Sequence, residues 1–237
     1  WYWSFIATII FGLGYLAYYP GMGSFTGLSN WTQVNQLEVE QAAADERYGP
    51  IFAQYRDMPV DTLTSNPAAM KMGQRLFINN CAACHGAAAT GSLGFPDLTD
   101  EEWLWGGDSA TIETTLRHGR NAMMPAWGSV LSNQGIKEVT EYVLSLSGRE
   151  VDAAFASSGE AHFMTYCTAC HGPEGKGQEM FGAPNLTNDI WLYGNSRARI
   201  EQSIKHGRNG AMPSFESRLG SDKVHILAAY VKSLGES

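Results

Sequence analysis

The chain has 237 residues and a formal net charge of −8, because 24 acidic side chains outnumber 16 lysines and arginines. This acidic balance argues against a nucleic-acid-binding protein and favours a basic protein partner. All four cysteines fall in two short motifs, so none remains for a structural disulfide or a reactive thiol.

The N-terminal segment is apolar and uncharged. Residues 1–19 read WYWSFIATIIFGLGYLAYY, and the first charged side chain is Glu38. About 20 apolar residues suffice to span a bilayer as a helix, and aromatic side chains gather at both ends, as in an interfacial belt. We therefore expect a transmembrane anchor over residues 1–20. A secretory signal is the alternative, but it usually ends at a small-residue cleavage site, which the following Tyr-Tyr-Pro-Gly does not provide.

Residues 21–67 are predicted to form a linker that contains one helix. The stretch 32–48 (TQVNQLEVEQAAADERY) has a weak apolar stripe, which predicts a polar helix that begins near Asn30 or Thr32 and ends before Pro50. Residues 59–67 are expected to form a loop. Two roles fit this helix equally well: docking on a partner subunit, or serving as a solvated spacer.

Two Cys-x-x-Cys-His pentads carry the main chemical signal, Cys81-Ala82-Ala83-Cys84-His85 and Cys167-Thr168-Ala169-Cys170-His171. This spacing is the attachment signature of c-type haem, in which two thiols bind one porphyrin covalently and the histidine is an axial ligand to iron. Zinc would require four ligands that converge on one metal, and a thioredoxin-like pair needs no trailing histidine. The sequence therefore predicts two covalently bound haem c groups.

The pentads lie in two homologous repeats. Gly73 and Phe77 match Gly159 and Phe163 at an offset of 86, and beyond the pentads the offset is 88 because the second loop is two residues longer. We expect a mainly α fold, with the N-terminal transmembrane helix followed by two tandem class I cytochrome c domains over residues 68–147 and 158–237. A hinge at 147–158 would separate them. The helical spacing of apolar side chains in both C-terminal segments agrees with this fold.

Each repeat also contains a candidate second axial ligand. Met124-Pro125 aligns with Met212-Pro213, at 39 and 41 residues after the respective haem histidine. A thioether stabilises ferrous iron and raises the reduction potential relative to a second histidine. Met123 competes with Met124, but the alignment favours Met124. Chain order predicts the ligand pairs His85/Met124 and His171/Met212.

The remaining histidines are weaker candidates for iron ligands. His118 and His206 occupy equivalent positions, so a bis-histidine arrangement is an alternative, although a structural hydrogen-bonding role is favoured. His162 and His225 have no counterpart in the other repeat and are expected at the surface.

Four further side chains are candidate haem contacts. A guanidinium suits a carboxylate in bidentate fashion, so Arg120 and Arg208 are candidates to pair with haem propionates, with an ordinary solvated charge as the alternative. Trp103 and Trp191 are candidates to pack against a haem edge, although an aromatic side chain in a small core is the default.

The whole pattern resembles the dihaem subunit of cbb3-type cytochrome c oxidases. The likeness runs over nearly the entire chain. It includes the anchor with Gly14-Tyr15-Leu16 and Tyr19-Pro20-Gly21, the Glu46–Pro50 stretch, and the paired His-Gly-Arg-Asn and Met-Pro loops. The pentads alone are common to many cytochromes, whereas this combination is much more selective.

The resemblance implies a non-catalytic electron-transfer subunit. Electrons would enter from a soluble or tethered cytochrome c, pass through both haems to a monohaem cytochrome c subunit, and reach the haem–copper subunit that reduces oxygen to water. Because such pentads receive haem outside the cytoplasm, a single-pass protein of the bacterial inner membrane with periplasmic haem domains is expected. An anchored carrier that serves another respiratory complex and a dihaem peroxidase remain the alternatives.

Overall fold

A computed structural model describes residues 1–21, 23 and 26–235. The chain forms two compact units, one up to Gln54 and the other from Tyr55 onward. Most of the regular structure is helical, which confirms the mainly α fold class.

The first unit has two helices among its described residues. Helix α1 (Tyr2–Tyr18) has 17 residues and none of them is buried. Within residues 1–21, 23 and 26–235, no helix is both long enough and apolar enough to cross a membrane, so the expected transmembrane helix is not confirmed.

Helix α2 (Gln33–Ala53) begins where the sequence predicts. The Thr32 side chain caps it by accepting a hydrogen bond from the Asn35 amide, and no residue of the helix is buried. The predicted end before Pro50 is wrong, because the helix continues through that proline to Ala53. Proline lacks one amide hydrogen, and here the helix extends for only three residues beyond it.

The second unit contains ten α-helices, one 3₁₀ turn and two short strands among its described residues. Its helices are α3 (Val60–Leu63), α4 (Pro67–Asn80), α5 (Ala82–His85), α6 (Ser109–His118), α7 (Asn133–Leu146), α8 (Ala153–Tyr166), α9 (Thr168–His171), α10 (Arg197–His206), α11 (Glu216–Leu219) and α12 (Ser221–Leu234). The strands are β1 (Arg120–Met124) and β2 (Arg208–Met212). Helix α3 occupies part of the segment 59–67, which was expected to be a loop. The hinge expected over 147–158 is shorter and covers residues 147–152, because α8 begins at Ala153.

The strands were not expected, because each is only five residues long and its partner is distant in sequence. They pair antiparallel, with Arg120 opposite Met212 and Met124 opposite Arg208. Such pairing is set by tertiary contacts rather than by a local apolar–polar alternation.

The helices exchange partners between the two repeats. Helix α4 of the first repeat packs on α12 of the second, and α8 of the second packs on α7 of the first. Helix α6 also contacts α12, and α10 contacts α7. Each packed group is thus built from the N-terminal part of one repeat and the C-terminal part of the other, so the ranges 68–147 and 158–237 describe sequence repeats rather than separately packed bodies.

Two glycines allow the exchanged helices to approach closely. A Cβ atom on Gly73 would lie 2.4 Å from the Tyr230 Cβ, and one on Gly159 would lie 2.0 Å from the Glu138 carbonyl oxygen. Both distances are far below a van der Waals contact. The phenylalanines one turn later, Phe77 and Phe163, are completely buried beside these crossings.

Candidate haem sites

Each pentad closes one turn of helix directly after a packed helix. The amide of Cys81 donates to the Phe77 carbonyl at 2.8 Å, and the amide of Cys167 donates to the Phe163 carbonyl at 2.9 Å. The short helices α5 and α9 then carry the second cysteine and the histidine. Because the pentads continue from α4 and α8, the packing of those helices fixes the direction of the histidines.

Both pentad histidines are buried and oriented by one hydrogen bond. His85 is 8% exposed and its Nδ1 lies 3.0 Å from the Pro96 carbonyl oxygen, while His171 is 9% exposed with Nδ1 3.1 Å from the Pro184 oxygen. A carbonyl only accepts, so Nδ1 carries the proton and the Nε2 lone pair is available to a metal. Burial lowers the pKa of His171, which favours this neutral form.

The cysteines are free thiols, and none is joined to another. Burial raises the pKa of Cys81 and of Cys167 to about 11. Among the residues that the structure describes, no three His, Cys, Asp or Glu side chains converge as a metal-ion site. The alternative of a zinc cluster therefore has no structural support in this part of the chain.

A cavity of about 450 Å³ lies against the second pentad. Its volume falls in the range of about 300–1,000 Å³ that is typical of cofactor sites. Cys167, Cys170 and His171 line it, together with Phe163 and Ile204. The lining is mostly apolar, as a porphyrin requires.

The same cavity contains two buried hydrogen-bond donors without a partner. Trp191 Nε1 and Arg208 Nη2 are fully shielded from solvent and donate to no partner within the described structure, and both residues line the cavity. An unsatisfied buried donor costs about 1–3 kcal/mol, so such groups normally face a ligand or an ordered water. A carboxylate of a bound porphyrin would satisfy them, and the residues present therefore fit a haem.

The two predicted arginines adopt matching positions. Arg208 Nε donates to Ser203 Oγ at 2.9 Å and its guanidinium lies 4.5 Å from the Tyr193 ring centroid. Arg120 Nε donates to Thr115 Oγ at 2.8 Å and lies 4.9 Å from the Trp105 ring centroid. Neither guanidinium is a freely solvated loop charge.

The predicted tryptophans differ in their surroundings. Trp191 lines the cavity of His171, and Trp103 lines a second cavity of about 490 Å³ between the loops that follow the pentads. Trp191 also borders that second cavity, which is lined by no cysteine or histidine of either pentad.

The position of Met124 is the main difference from the ligand pairs that chain order predicts. Met124 lines the cavity that contains His171 and packs against the apolar cluster around Phe163, although it belongs to the same repeat as His85. Met212 is the last residue of β2. Just beyond it, Ser214 and Phe215 hydrogen-bond to α6 of the first repeat. Met123 is 76% exposed. Met124, which chain order pairs with His85, thus lines the cavity of His171 in this structure.

The other histidines differ from the expectation at one position. His118 and His206 end α6 and α10 and are exposed, and their structural hydrogen-bonding role stays a prediction. His162 is half-exposed. His225, expected at the surface, is instead mostly buried, with Nδ1 3.1 Å from Glu113 Oε1 and Nε2 2.8 Å from the Met58 carbonyl oxygen.

Sequence reasoning missed a polar cluster where α7 meets the first residues of α8 and α10. Glu141 is 7% exposed, and it accepts hydrogen bonds from the Arg197 guanidinium and from the Asp152 amide at 3.0 Å. These bonds lower the pKa of Glu141, the Arg197 bond contributing most. One signal was available: the position equivalent to Glu141 in the second repeat is Ala229, so the acid is not part of the shared haem motif.

The comparisons with known proteins agree with this architecture. The family model described as cytochrome c oxidase, cbb3-type, subunit III matches residues 68–143 and again 154–231. The chain thus contains two tandem cytochrome c domains, a fold that implies haem c.

Curated relatives match over the full chain. The cbb3-type cytochrome c oxidase subunit CcoP of Rubrivivax gelatinosus is 43% identical, with 100% of this chain and 78% of the relative aligned. The CcoP subunit of Cereibacter sphaeroides is 37% identical over 99% of this chain and 88% of the relative. The FixP subunit of Azorhizobium caulinodans is 38% identical over 99% and 86%, respectively. The chain belongs to the family of cbb3-type cytochrome c oxidase subunit III.

Proposed function

We propose that this protein is the dihaem electron-transfer subunit of a cbb3-type terminal oxidase. The observation that carries the proposal is the cavity against the second pentad, where His171, Met124 and two unpartnered buried donors meet. A pocket with two axial ligand types and donors for carboxylates suits a coordinatively saturated haem. The full-length similarity to named oxidase subunits supports the assignment of the complex.

The chain offers residues for two haem c groups, one at each pentad. Cys81 and Cys84 would hold one group covalently, and Cys167 and Cys170 would hold the other. Each group, when bound, supplies a one-electron ferric/ferrous couple. His85, Met124, His171 and Met212 would be the axial ligands. The site at the first pentad is supported by the equivalence of the two repeats in sequence and by the matching hydrogen bonds of the two pentads.

The protein's own side chains have three tasks in this function. The carbonyls of Pro96 and Pro184 hold the proton on Nδ1 of the haem histidines, which keeps Nε2 a neutral donor. The apolar lining excludes water and so limits the reorganisation that accompanies electron transfer. Arg208 and Trp191 would donate to a porphyrin carboxylate, and Arg120 and Trp103 are their counterparts in the first repeat.

This ligand set favours electron transfer over catalysis. With a thioether and an imidazole as its iron ligands, a bound haem would have no site left for a peroxide or for oxygen. Oxygen reduction is assigned in this proposal to the haem–copper subunit, with a monohaem cytochrome c subunit between them. The net charge of −8 suits a basic donor cytochrome c.

We further propose that α1 attaches the protein to the bacterial inner membrane, with the haem-bearing unit in the periplasm. Its large exposed side chains are apolar or aromatic and include Trp3, Ile10, Phe11 and Leu13, which are 63–79% exposed. A continuous apolar helix surface is unfavourable in water. Ile10→Lys should release the protein from membranes on mild washing, whereas the exposed linker change Val39→Lys should not.

The oxidase assignment is tested by gentle solubilisation of membranes followed by a native gel. The haem-stained band that contains this chain should also contain haem b and should consume oxygen with reduced cytochrome c as the donor. A dihaem band without that activity would instead identify an anchored carrier of another respiratory complex.

The ligand assignment is tested by substitution of single methionines. Met124→Leu and Met212→Leu should each lower the reduction potential of one haem, because the thioether ligand is lost. Met123→Leu is the matched control, since Met123 is adjacent and exposed, and it should leave both potentials unchanged. Unchanged potentials in all three variants would show that the methionines are not ligands.

A further inference from the structure

The loops that follow the two pentads differ in one charge close to the pentad histidines. The prolines whose carbonyl oxygens orient these histidines are followed by Asp97 in the first repeat and by Asn185 in the second. The two positions are equivalent at the offset of 88 between the repeats. A carboxylate therefore adjoins the carbonyl that orients one histidine, and a neutral amide adjoins the other.

The two side chains adopt the same geometry. Asp97 Oδ1 accepts hydrogen bonds from the Thr99 amide at 2.8 Å and from the Thr99 hydroxyl at 2.6 Å. Asn185 Oδ1 accepts from the Thr187 amide at 3.0 Å and from the Thr187 hydroxyl at 2.7 Å. Both residues are half-buried. At this position the repeats thus differ in charge and not in local structure.

A contact between the repeats favours the neutral side chain at position 185. Asn185 Nδ2 donates to Glu102 Oε1 at 3.3 Å, whereas an aspartate there would have no proton to donate and would repel the glutamate. The equivalent of Glu102 in the second repeat is Ile190. Ile190 lines the same cavity as Asp97 and has no charge to repel it. The charge at 97 and the neutral amide at 185 are therefore both compatible with the packing of the two loops.

Two other charges near the first loop act in opposite directions. Asp100 is replaced by Asn188 in the second repeat. Burial raises the pKa of Asp100, and the negative charge of Asp97 adds to that rise, so the two carboxylates reinforce each other. Burial also raises the pKa of Cys81, and the positive charge of Arg218 opposes that rise. Arg218 is exposed, so solvent screens its charge more than that of the half-buried Asp97.

A negative charge close to a haem favours the oxidised form. Ferric iron carries one more positive charge than ferrous iron, so a fixed carboxylate stabilises the ferric form and lowers the reduction potential. The carboxylate of Asp97 also makes the adjacent carbonyl a stronger acceptor for His85 Nδ1, and a more basic imidazole again favours ferric iron. The amide of Asn185 has neither effect.

We infer that the haem at the first pentad has the lower reduction potential, and that the carboxylate of Asp97 sets the difference. The inference rests on the proposed haem-binding function. One electron then passes from ferrous iron at the first pentad to ferric iron at the second. One centre is oxidised as the other is reduced, and no proton or further reactant is needed. At equilibrium a single electron resides mainly at the second pentad.

Redox titration of the full chain tests the inference once the two haems can be told apart. Cys81→Ala leaves one vinyl group of the first haem unattached, which shifts the α band of that haem and marks it in the spectrum. Cys167→Ala marks the second haem in the same way, so either variant is sufficient if the other does not fold. The haem at the first pentad should be reduced at the lower potential in both.

Asp97→Asn and Asn185→Asp are matched variants, because each places in one repeat the side chain that the other repeat already holds in the same geometry. A unit charge about 12 Å from a redox centre, at an effective dielectric constant of about 20, changes the equilibrium constant for electron exchange about tenfold. Asp97→Asn should therefore raise the potential of the first haem alone by about 59 mV, the one-electron equivalent of that factor. Asn185→Asp should lower the potential of the second haem.

Two further variants separate charge from structure. Asp97→Ala removes the hydrogen bonds to Thr99 as well as the charge, so it should raise the potential as Asp97→Asn does and also lower the melting temperature. Glu174→Gln removes an acid that is 70% exposed on the second loop, and it should leave both potentials unchanged. A potential shift in Asp97→Ala without one in Asp97→Asn would show a structural role and overturn the inference.

The remaining outcomes distinguish this inference from the proposed function. A first haem with a potential equal to or above that of the second would overturn the inference, and so would equal shifts of both haems in Asp97→Asn. Either result leaves the dihaem assignment intact. The proposed function itself would fail if a haem-stained denaturing gel and the haem content of the unaltered chain showed fewer than two covalent haems.

Discussion

The Phe77 ring packs on the Tyr230 ring with centroids 5.7 Å apart and an interplanar angle of 53°. Phe77 lies just before the first pentad, whereas Tyr230 lies in the last helix of the chain. The equivalent pair, Tyr142 and Phe163, has ring centroids 5.1 Å apart and an interplanar angle of 51°. These two aromatic pairs join α4 to α12 and α7 to α8, so the exchange of helices between the repeats is fixed by side chains outside the candidate haem ligands.

A double-mutant cycle on these rings should detect the exchange. Replacing Phe77 and Tyr230 by leucine, singly and together, should give a coupling energy of about 0.5–1.5 kcal/mol, the usual value for a packed aromatic pair. The same cycle on Phe77 and Tyr142 should give a coupling near zero, because these rings are in different packed groups. The measurement is the denaturant dependence of unfolding for all variants, and a large coupling only in the second cycle would show that each repeat closes on itself.

Substitution of Gly159 should destabilise the second packed group. The Cβ of Gly159→Ala would lie 2.0 Å from the Glu138 carbonyl oxygen, and backbone must move to relieve the contact. Overpacking of this kind costs about 1–3 kcal/mol. Thermal unfolding followed by haem absorbance measures the loss. Gly49→Ala in α2 is the control, because nothing lies within 4 Å of its Cβ position, and an equal loss in that variant would refute the explanation.

The Glu141–Arg197 pair should make stability depend on pH in the acid range. The pKa of Glu141 is lowered from its ordinary value of 4.5, first by the hydrogen bond from Arg197. A carboxyl with a lowered pKa stabilises the fold fully above about pH 4.5, and this contribution is lost as the pH falls through the lower folded-state value. Glu141→Gln should therefore be less stable at pH 7 by about 1 kcal/mol, a figure discounted for the half-exposed arginine.

The measurement for this pair is the free energy of unfolding of wild type and Glu141→Gln from pH 7 down to pH 3. The difference should shrink toward zero at the acid end, because wild-type Glu141 becomes protonated there. Glu174→Gln is the control, since the Glu174–Lys176 pair is on the surface with both side chains 70% exposed. A difference that is constant over the whole range would exclude the proposed linkage.

The two packed groups of helices should unfold together. Each group contains helices from both repeats, and β1 and β2 join the two groups. Neither repeat can therefore unfold without disrupting both groups. We expect one cooperative transition in denaturant, with haem absorbance and helical circular dichroism changing at the same midpoint. Two separated haem transitions would indicate independently folded repeats.

Arg208 should tune the potential of the haem at the second pentad. Loss of its unpartnered buried donor in Arg208→Gln would leave a propionate less well neutralised, which favours ferric iron and lowers the potential. A difference of about 1 kcal/mol between the ferric and ferrous forms corresponds to about 40 mV for one electron. Redox titration measures the shift. Arg199→Gln is the control, because Arg199 is exposed on α10, and an equal shift there would point to a general charge effect.

The sequence by itself determined the local features. The pentads, the paired His-Gly-Arg-Asn and Met-Pro segments and the start of α2 at Thr32 are patterns of adjacent residues, and the structure has the corresponding helices in place. It also identified Trp191 and Arg208, which line the cavity of the second pentad. Conversely, the continuation of α2 past Pro50, the two strands and the burial of His225 depend on contacts that no local pattern contains.

Only the tertiary structure decided which helices of the two repeats pack together. The repeats present the same residue types at equivalent positions, so Tyr142 or Tyr230 could pack on Phe77 as far as local pattern is concerned. The six-residue connection between α7 and α8, residues 147–152, favours their packing as neighbours, and this leaves α12 to cover α4. Glu141 and His225 further stabilise this packing between the repeats, because the side chain that each one contacts belongs to the opposite repeat.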